Sequence, residues 1–149
     1  MNRKPSVLFV CAKNGGKSQM AAGLMRRLAG DEVEVHSAGT TPGSTINALS
    51  AESLCEVGVD ISGETPKAVD PQLVHDVDVV VILGREAQLE PVLGTVFQNW
   101  DTDEPSERGI DGIERMRLVR DDIAARVRVL AQQLQSTALC AVLDPHCCT

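Results

Sequence analysis

Aromatic residues are nearly missing: Trp100, Phe9 and Phe97 are the whole set, and there is no tyrosine. A core without rings must be filled by Val, Leu, Ile, Ala and Met. Long apolar runs are also missing. None approaches the roughly 18 residues that a membrane span needs, so no membrane partner is expected. The opening "MNRKPSVLFV" is basic and then apolar, but the run is too short for a secretory segment and leads into Gly, Lys and Ser rather than a cleavage site. Positive charge is not in excess: the formal balance is −7, which excludes a general nucleic-acid or anionic-lipid surface. A small anion gripped by local amides is still allowed. The five cysteines are odd in number and lack the spacings of a secreted disulfide framework. Free thiols in a cytoplasmic setting are the expectation.

What is there fits one domain of 149 residues. "SVLFV" (6–10) reads as a buried strand. A helix opens at Ser18, with Met20, Leu24 and Leu28 on one face and Gly30 as its stop. "VEVHSAG" (33–39) is a second strand, and "INALSAESLCEVG" (46–58) is a helix with Leu49, Ser53 or Leu54, and Val57 in register. "DVDVVVILG" (76–84) is apolar on both faces, as a central parallel strand is. "GTVFQNWD" (94–101) follows, then an acidic loop, "DTDEPSERG" (101–109), and an amphipathic helix from about Asp111 to Leu134. Alternating strands and helices predict a three-layer α/β/α domain with a four-stranded parallel sheet. Residues 1–135 make a single catalytic domain on this reading, and 136–149 a tail containing Cys147 and Cys148.

In such sheets ligands bind beyond the carboxyl ends of the strands. "CAKNGGKS" (11–18) lies at one such end, and two phosphate-handling chemistries compete for it. A nucleotide-binding loop, G-x-x-x-x-G-K-[ST], needs a glycine where Cys11 stands, and that glycine makes the first turn. No Asp directly follows the apolar run of 79–83 to serve a magnesium ion. The other chemistry uses the thiol. Successive backbone N–H groups over Ala12, Lys13, Asn14, Gly15 and Gly16, followed by a helix N-terminus, make a concave anion site. A helix N-terminus also favours the thiolate form of a cysteine, which is the attacking species. Lys17 adds charge, and Ser18 can donate to Cys11 and cap the helix. Asn14 tolerates left-handed geometry.

"FVCAKNGGKSQMA" with "HSAGT" resembles the low-molecular-weight phosphotyrosine phosphatase family, and "SQMA" with "IERMRLVRDDI" is similar to its arsenate reductase branch. The resemblance runs from Ser6 to about Leu134. The family loop is Cys, five residues, Arg, Ser; this chain has Lys17 in place of Arg. An actinobacterial subgroup that uses mycothiol shows a similar "NGGKSQMA" loop. The resemblance implies a catalytic set of Cys11, Lys17, Ser18 and an acid before a proline, here Glu104 before Pro105. Asp103 is an alternative acid and Asp101 a weaker one. An acid here needs a pKa raised towards working pH.

Thioredoxin-coupled members carry two further cysteines near and after the third strand. Residues 56–139 of this chain contain none, so the resemblance implies an external thiol, mycothiol, as co-substrate, with a mycoredoxin or glutaredoxin-like partner. No bound cofactor and no metal are expected; His146 beside Cys147 and Cys148 is too little for a metal site. That Cys pair can act as a resolving or arsenite-binding pair or be a passive tail. Cys55 and Cys140 read as core, and His36 and His75 carry no assigned chemistry. The function implied is arsenate reduction. The alternatives are a phosphotyrosine phosphatase working through a Cys11 phosphoenzyme, a nucleoside triphosphatase, and a non-catalytic oxyanion sensor. The near absence of aromatics around the acidic loop counts against the phosphatase.

Overall fold

The computed structural model describes residues 4–143, with side chains to residue 136. Four strands form one sheet in the order β2-β1-β3-β4. They are β1 (Ser6–Cys11), β2 (Glu34–Gly39), β3 (Val79–Leu83) and β4 (Val96–Trp100), and every pairing is parallel. Helices α1 (Lys17–Ala29), α2 (Ala48–Cys55), α3 (Pro71–Asp76) and α4 (Gly112–Leu143) cover it. The predicted four-stranded α/β/α architecture is therefore present.

Alternation along the strands divides the core in two. Val7, Phe9, Val79, Val81 and Leu83 face α1, α2 and α4, where Met20, Met25, Leu54, Ile123 and Leu130 meet them. Leu8, Val10, Val80 and Ile82 point to the opposite face, under Val74, Val77 and Ala87. All residues of β1 and β3 are buried, because both strands lie inside the sheet and are covered on both faces. Phe9 and Trp100 meet as tilted rings with centroids 5.8 Å apart.

Three expectations need correction. The buried face of α1 is not Met20–Leu24–Leu28. Leu28 is half exposed, while Ala21, Ala22 and Gly23 are buried beside Met20 and Met25. A helix packed on the sheet on one side and against α2 and α4 on the other must be small on its second side. Gly23 shows why: a Cβ there would stand 2.9 Å from Ile61 Cγ2. Leu49 and Val57 are exposed rather than core, and Cys55 is exposed at the end of α2, because only one side of this short helix is covered. Finally, α4 runs on to Leu143, past Leu134. "QSTALCAVL" contains no glycine or proline to stop it, and Pro145 is the next breaker. Helix α3 had no counterpart in the sequence reading. It starts on Asp70, whose side chain accepts from Gln72 N, with Pro71 at its first position.

The chain passes from β1 outward to β2, then returns to lay β3 on the other side of β1. The carboxyl ends of β1 and β3 thus flank a topological switch point, where open α/β sheets place their ligands. Among the described residues no helix is long and apolar enough to cross a membrane.

Candidate active site

Cys11 is the last residue of β1, and the chain then folds back beneath α1. Asn14 makes that turn, with φ of 55°, a left-handed conformation that asparagine adopts more readily than most residues. Its side chain is fully buried and its amide orientation is fixed from behind. Oδ1 accepts from Lys67 N at 3.0 Å and from Gln19 Nε2 at 3.1 Å. Nδ2 is thereby turned to Ser18 Oγ, to which it donates at 2.7 Å. Ser18 Oγ lies 2.9 Å from Cys11 Sγ. A thiolate has no proton to give, so the Ser18 hydroxyl donates to sulfur in that state. Asn14 N–H also points at Sγ, at 3.2 Å.

Ser18 does not cap α1. Gly16, which has no side chain to cap with, occupies the N-cap position, and the Ser18 hydroxyl, inside the first turn, is committed to Cys11 and Asn14. Asn14 and Ser18, assigned from sequence to oxyanion binding, lie behind the cup as its bracing. Cys11, Ala12, Lys13, Gly15, Gly16 and Lys17 line its wall.

The segment 40–47 straps this loop from outside. Thr41 N donates to Ala12 O at 2.8 Å, Gly43 N to Lys13 O at 2.9 Å, and Asn47 N to Gly15 O at 2.7 Å. The loop carbonyls are therefore occupied by the strap, which leaves the loop N–H groups as donors for an anion. Gly39 allows the close approach: a Cβ there would stand 2.7 Å from Ala12 O and 2.9 Å from Asn14 N.

The opposite wall comes from the acidic loop and the start of α4. Glu104 bonds Lys17 through Oε1, while its Oε2 is 3.6 Å from Arg115 Nη2. The structure separates the three candidate acids. Asp103 is bound by Arg108 at 2.8 and 3.2 Å, and those bonds hold its carboxyl below the usual carboxylate range. Asp101 is bound by Arg85 at 3.0 and 3.1 Å with the same result. Pairing with a cation is common to all three, since Glu104 meets Lys17 and Arg115; position divides Asp103 from Glu104, because Asp103 does not line the cavity. Glu104 alone of the two neighbours, Asp103 and Glu104, faces Cys11 across it.

The cavity has a volume of about 810 Å³. A tetrahedral oxyanion fills a small part of that, so a larger co-substrate has room. Sequence reasoning missed Arg115, Gln19, Lys67 and the 40–47 strap. Arg115 stands in the first turn of α4 directly after the acidic loop, which is the one signal that could have marked it. No group of three or more His, Cys, Asp or Glu that could hold a metal occurs among the described residues. Cys147, Cys148, His146 and the Cys140 side chain lie outside the described residues.

A family model described as low molecular weight phosphotyrosine protein phosphatase matches residues 6–139. An arsenate reductase of Halalkalibacterium halodurans is 33% identical over 138 residues, covering 89% of this chain and 98% of that protein. An arsenate reductase of Staphylococcus epidermidis is 32% identical over 127 residues, covering 83% and 94%. Among solved structures, a Corynebacterium glutamicum thioredoxin-dependent arsenate reductase gives a TM-score of 0.76 at 34% identity, covering 90% of this chain and 63% of that one. An arsenate reductase in its phosphate-binding state gives a TM-score of 0.76 at 30% identity, covering 87% and 98%.

Proposed function

The chain belongs to the low-molecular-weight phosphotyrosine protein phosphatase family, in its arsenate reductase branch, and from that premise we propose that it reduces arsenate in the cytosol with a small thiol. One observation carries the reading. Cys11 Sγ accepts from the Asn14 N–H and lies against the Ser18 hydroxyl, on a loop whose carbonyls are turned to the 40–47 strap, with Lys17 and Glu104 paired across the mouth.

Arsenate would settle in the 12–18 loop, with loop amides and Lys17 on its oxygens. A thiol sulfur then bonds to arsenic as one As–OH bond breaks. Glu104 gives its proton to the departing hydroxyl, which leaves as water, and arsenic stays pentavalent in the adduct. A thiol of a mycoredoxin or glutaredoxin-like partner next attacks the adduct sulfur. A disulfide forms, arsenic keeps the S–As electron pair, and arsenite leaves.

Mycothiol is the thiol we assign. The Corynebacterium glutamicum relative is described as thioredoxin-dependent, but the relay cysteines that the resemblance places near and after the third strand have no counterpart there in this chain. Residues 56–139 hold none, and Gly84–Glu86, the segment after β3 that lines the cavity, offers no sulfur. The cavity volume of about 810 Å³ also fits a co-substrate much larger than arsenate.

The test is arsenite formation by the purified protein with mycothiol and mycoredoxin, glutathione and glutaredoxin, or thioredoxin, side by side. Arsenite is expected in the first system and at background in a Cys11→Ser control. No arsenite above that control in any system would sink the reductase reading. Turnover with thioredoxin alone would sink the thiol assignment. Hydrolysis of para-nitrophenyl phosphate without arsenate turnover would make the protein a phosphatase.

A further inference from the structure

Arg115 has more donors than the structure gives it partners. Its Nη2 has a single long contact, 3.6 Å from Glu104 Oε2. Its Nε is buried with no hydrogen-bond partner among the described residues. The side chain lines the same cavity as Cys11, Lys17 and Glu104. A buried guanidinium N–H left unpaired is costly, so a donor held this way beside an anion site points to a ligand that completes it.

The loop itself supplies the second half of the case. It carries Lys17, a compact point charge, where a planar guanidinium would match two oxygens of a tetrahedral oxyanion at once. Arg115 offers that fork from the facing wall. Glu104 meanwhile bridges the two cations, Oε1 on Lys17 and Oε2 towards Arg115. Two oxygens on one central atom, spanning two cations beside a thiol, is also the arrangement an oxyanion would present.

We propose that Arg115 is a second oxyanion-binding residue, acting across the site from Lys17, and that Glu104 holds the anion's place between them when the site is empty. This rests on the reading that the Cys11 loop takes arsenate. Entry of the anion displaces Glu104 from Lys17 and turns Arg115 Nε and Nη2 onto arsenate oxygens. Glu104 is left against the substrate and competes with it for both cations.

The experiment measures the arsenate dissociation constant on the whole chain, by protection of Cys11 from alkylation. Arg115→Met is expected to weaken binding about 10- to 100-fold, the range of a lost charged hydrogen bond. Lys17→Arg in the Arg115→Met background is expected to recover most of that loss, because the fork returns from the loop. Glu104→Gln is expected to tighten arsenate binding, since a competitor is removed. A folded Arg115→Met protein that binds arsenate within about twofold of wild type overturns the proposal, as does a failure of Lys17→Arg to recover any binding. If Arg115→Met does not fold, Arg115→Lys carries the test, and an unchanged constant overturns the proposal. Absence of arsenate binding by the wild type would overturn the functional reading itself, a distinguishable result.

Discussion

The two walls of the site are built by different physics. The Cys11 loop is held by neutral hydrogen bonds inside the core: Asn14, Ser18 and Gln19 are fully buried, and the chain Lys67–Asn14–Ser18–Cys11 has a bonded partner at every step. The acidic loop lies at the surface and is held by charge. Asp101 pairs with Arg85, Asp103 with Arg108, and Glu104 with Lys17 and Arg115. Buried neutral networks are rigid and costly to break, whereas exposed ion pairs are weak and rearrange freely. Cys11 is thus placed once, by folding, and Glu104 remains free to exchange partners when an anion arrives.

The comparison breaks most visibly at Glu104. As the only acid facing Cys11 among Asp103 and Glu104, it should carry the proton delivered to the departing hydroxyl. Glu104→Gln is expected to lower kcat for arsenate reduction by about 10²–10⁴-fold, the usual range for removal of a general acid. Its thermal unfolding should change little, because its contacts are partly exposed ion pairs. A kcat within a few-fold of wild type would show that proton delivery comes from elsewhere, and the division between the walls would fail.

Asn14 tests the rigid wall. Asn14→Ala removes the acceptor of Lys67 N, one of the two acceptors of Gln19 Nε2 and the donor to Ser18 Oγ, and places a less tolerant residue at φ 55°. Unsatisfied buried donors and left-handed strain together are expected to destabilise the fold by about 2–4 kcal/mol, read by urea unfolding. Asn14→Gly removes the strain but not the lost bonds, so it should recover only about 1 kcal/mol of that loss. If the glycine variant regains full stability, the buried network contributes nothing and backbone conformation alone sets the loop.

How much of this could be seen in the sequence follows the same division. The strands and the place of the Cys11–Ser18 loop at the end of β1 were legible, because continuous apolar runs and a Gly-Gly-Lys-Ser sequence after one of them reflect local rules. Glu104 was marked by Pro105 and preferred to Asp103 on that ground, but the contacts that divide the two were not visible. Those contacts are Arg108 on both oxygens of Asp103 and Lys17, distant in sequence, on Glu104. Arg115 looked like every other charged residue on an amphipathic helix until the fold turned it inward. The face of α1 was misread because helical periodicity finds one buried stripe, while Ala21, Ala22 and Gly23 are buried too, Gly23 against Leu54, Val59 and Ile61. Helix α3 is too short to show a period and was announced only by Asp70-Pro71.

The smallest effect expected is at Asp103, and it sharpens the contrast by its smallness. Asp103 neighbours Glu104 in the chain, yet Arg108 binds both of its carboxyl oxygens and its own N–H is held by Asp122 Oδ2 at 2.8 Å. Asp103→Asn should therefore leave kcat for arsenate within about twofold, the scale of a surface change away from the chemistry. Its signature should appear in acid instead. The hydrogen bonds from Arg108 lower the Asp103 pKa in the folded protein, so the unfolded chain binds that proton more readily. The stabilisation is present above the unfolded carboxyl's ordinary value of about 3.9 and is lost as pH falls through the lower folded value. Wild type and Asp103→Asn should thus differ by a constant margin at neutral pH. That margin should close only below about pH 4, as urea unfolding at a series of pH values would show. A margin that instead opens on acidification, or a large fall in kcat at neutral pH, would mean that Asp103 faces the substrate and that both acids belong to one movable wall.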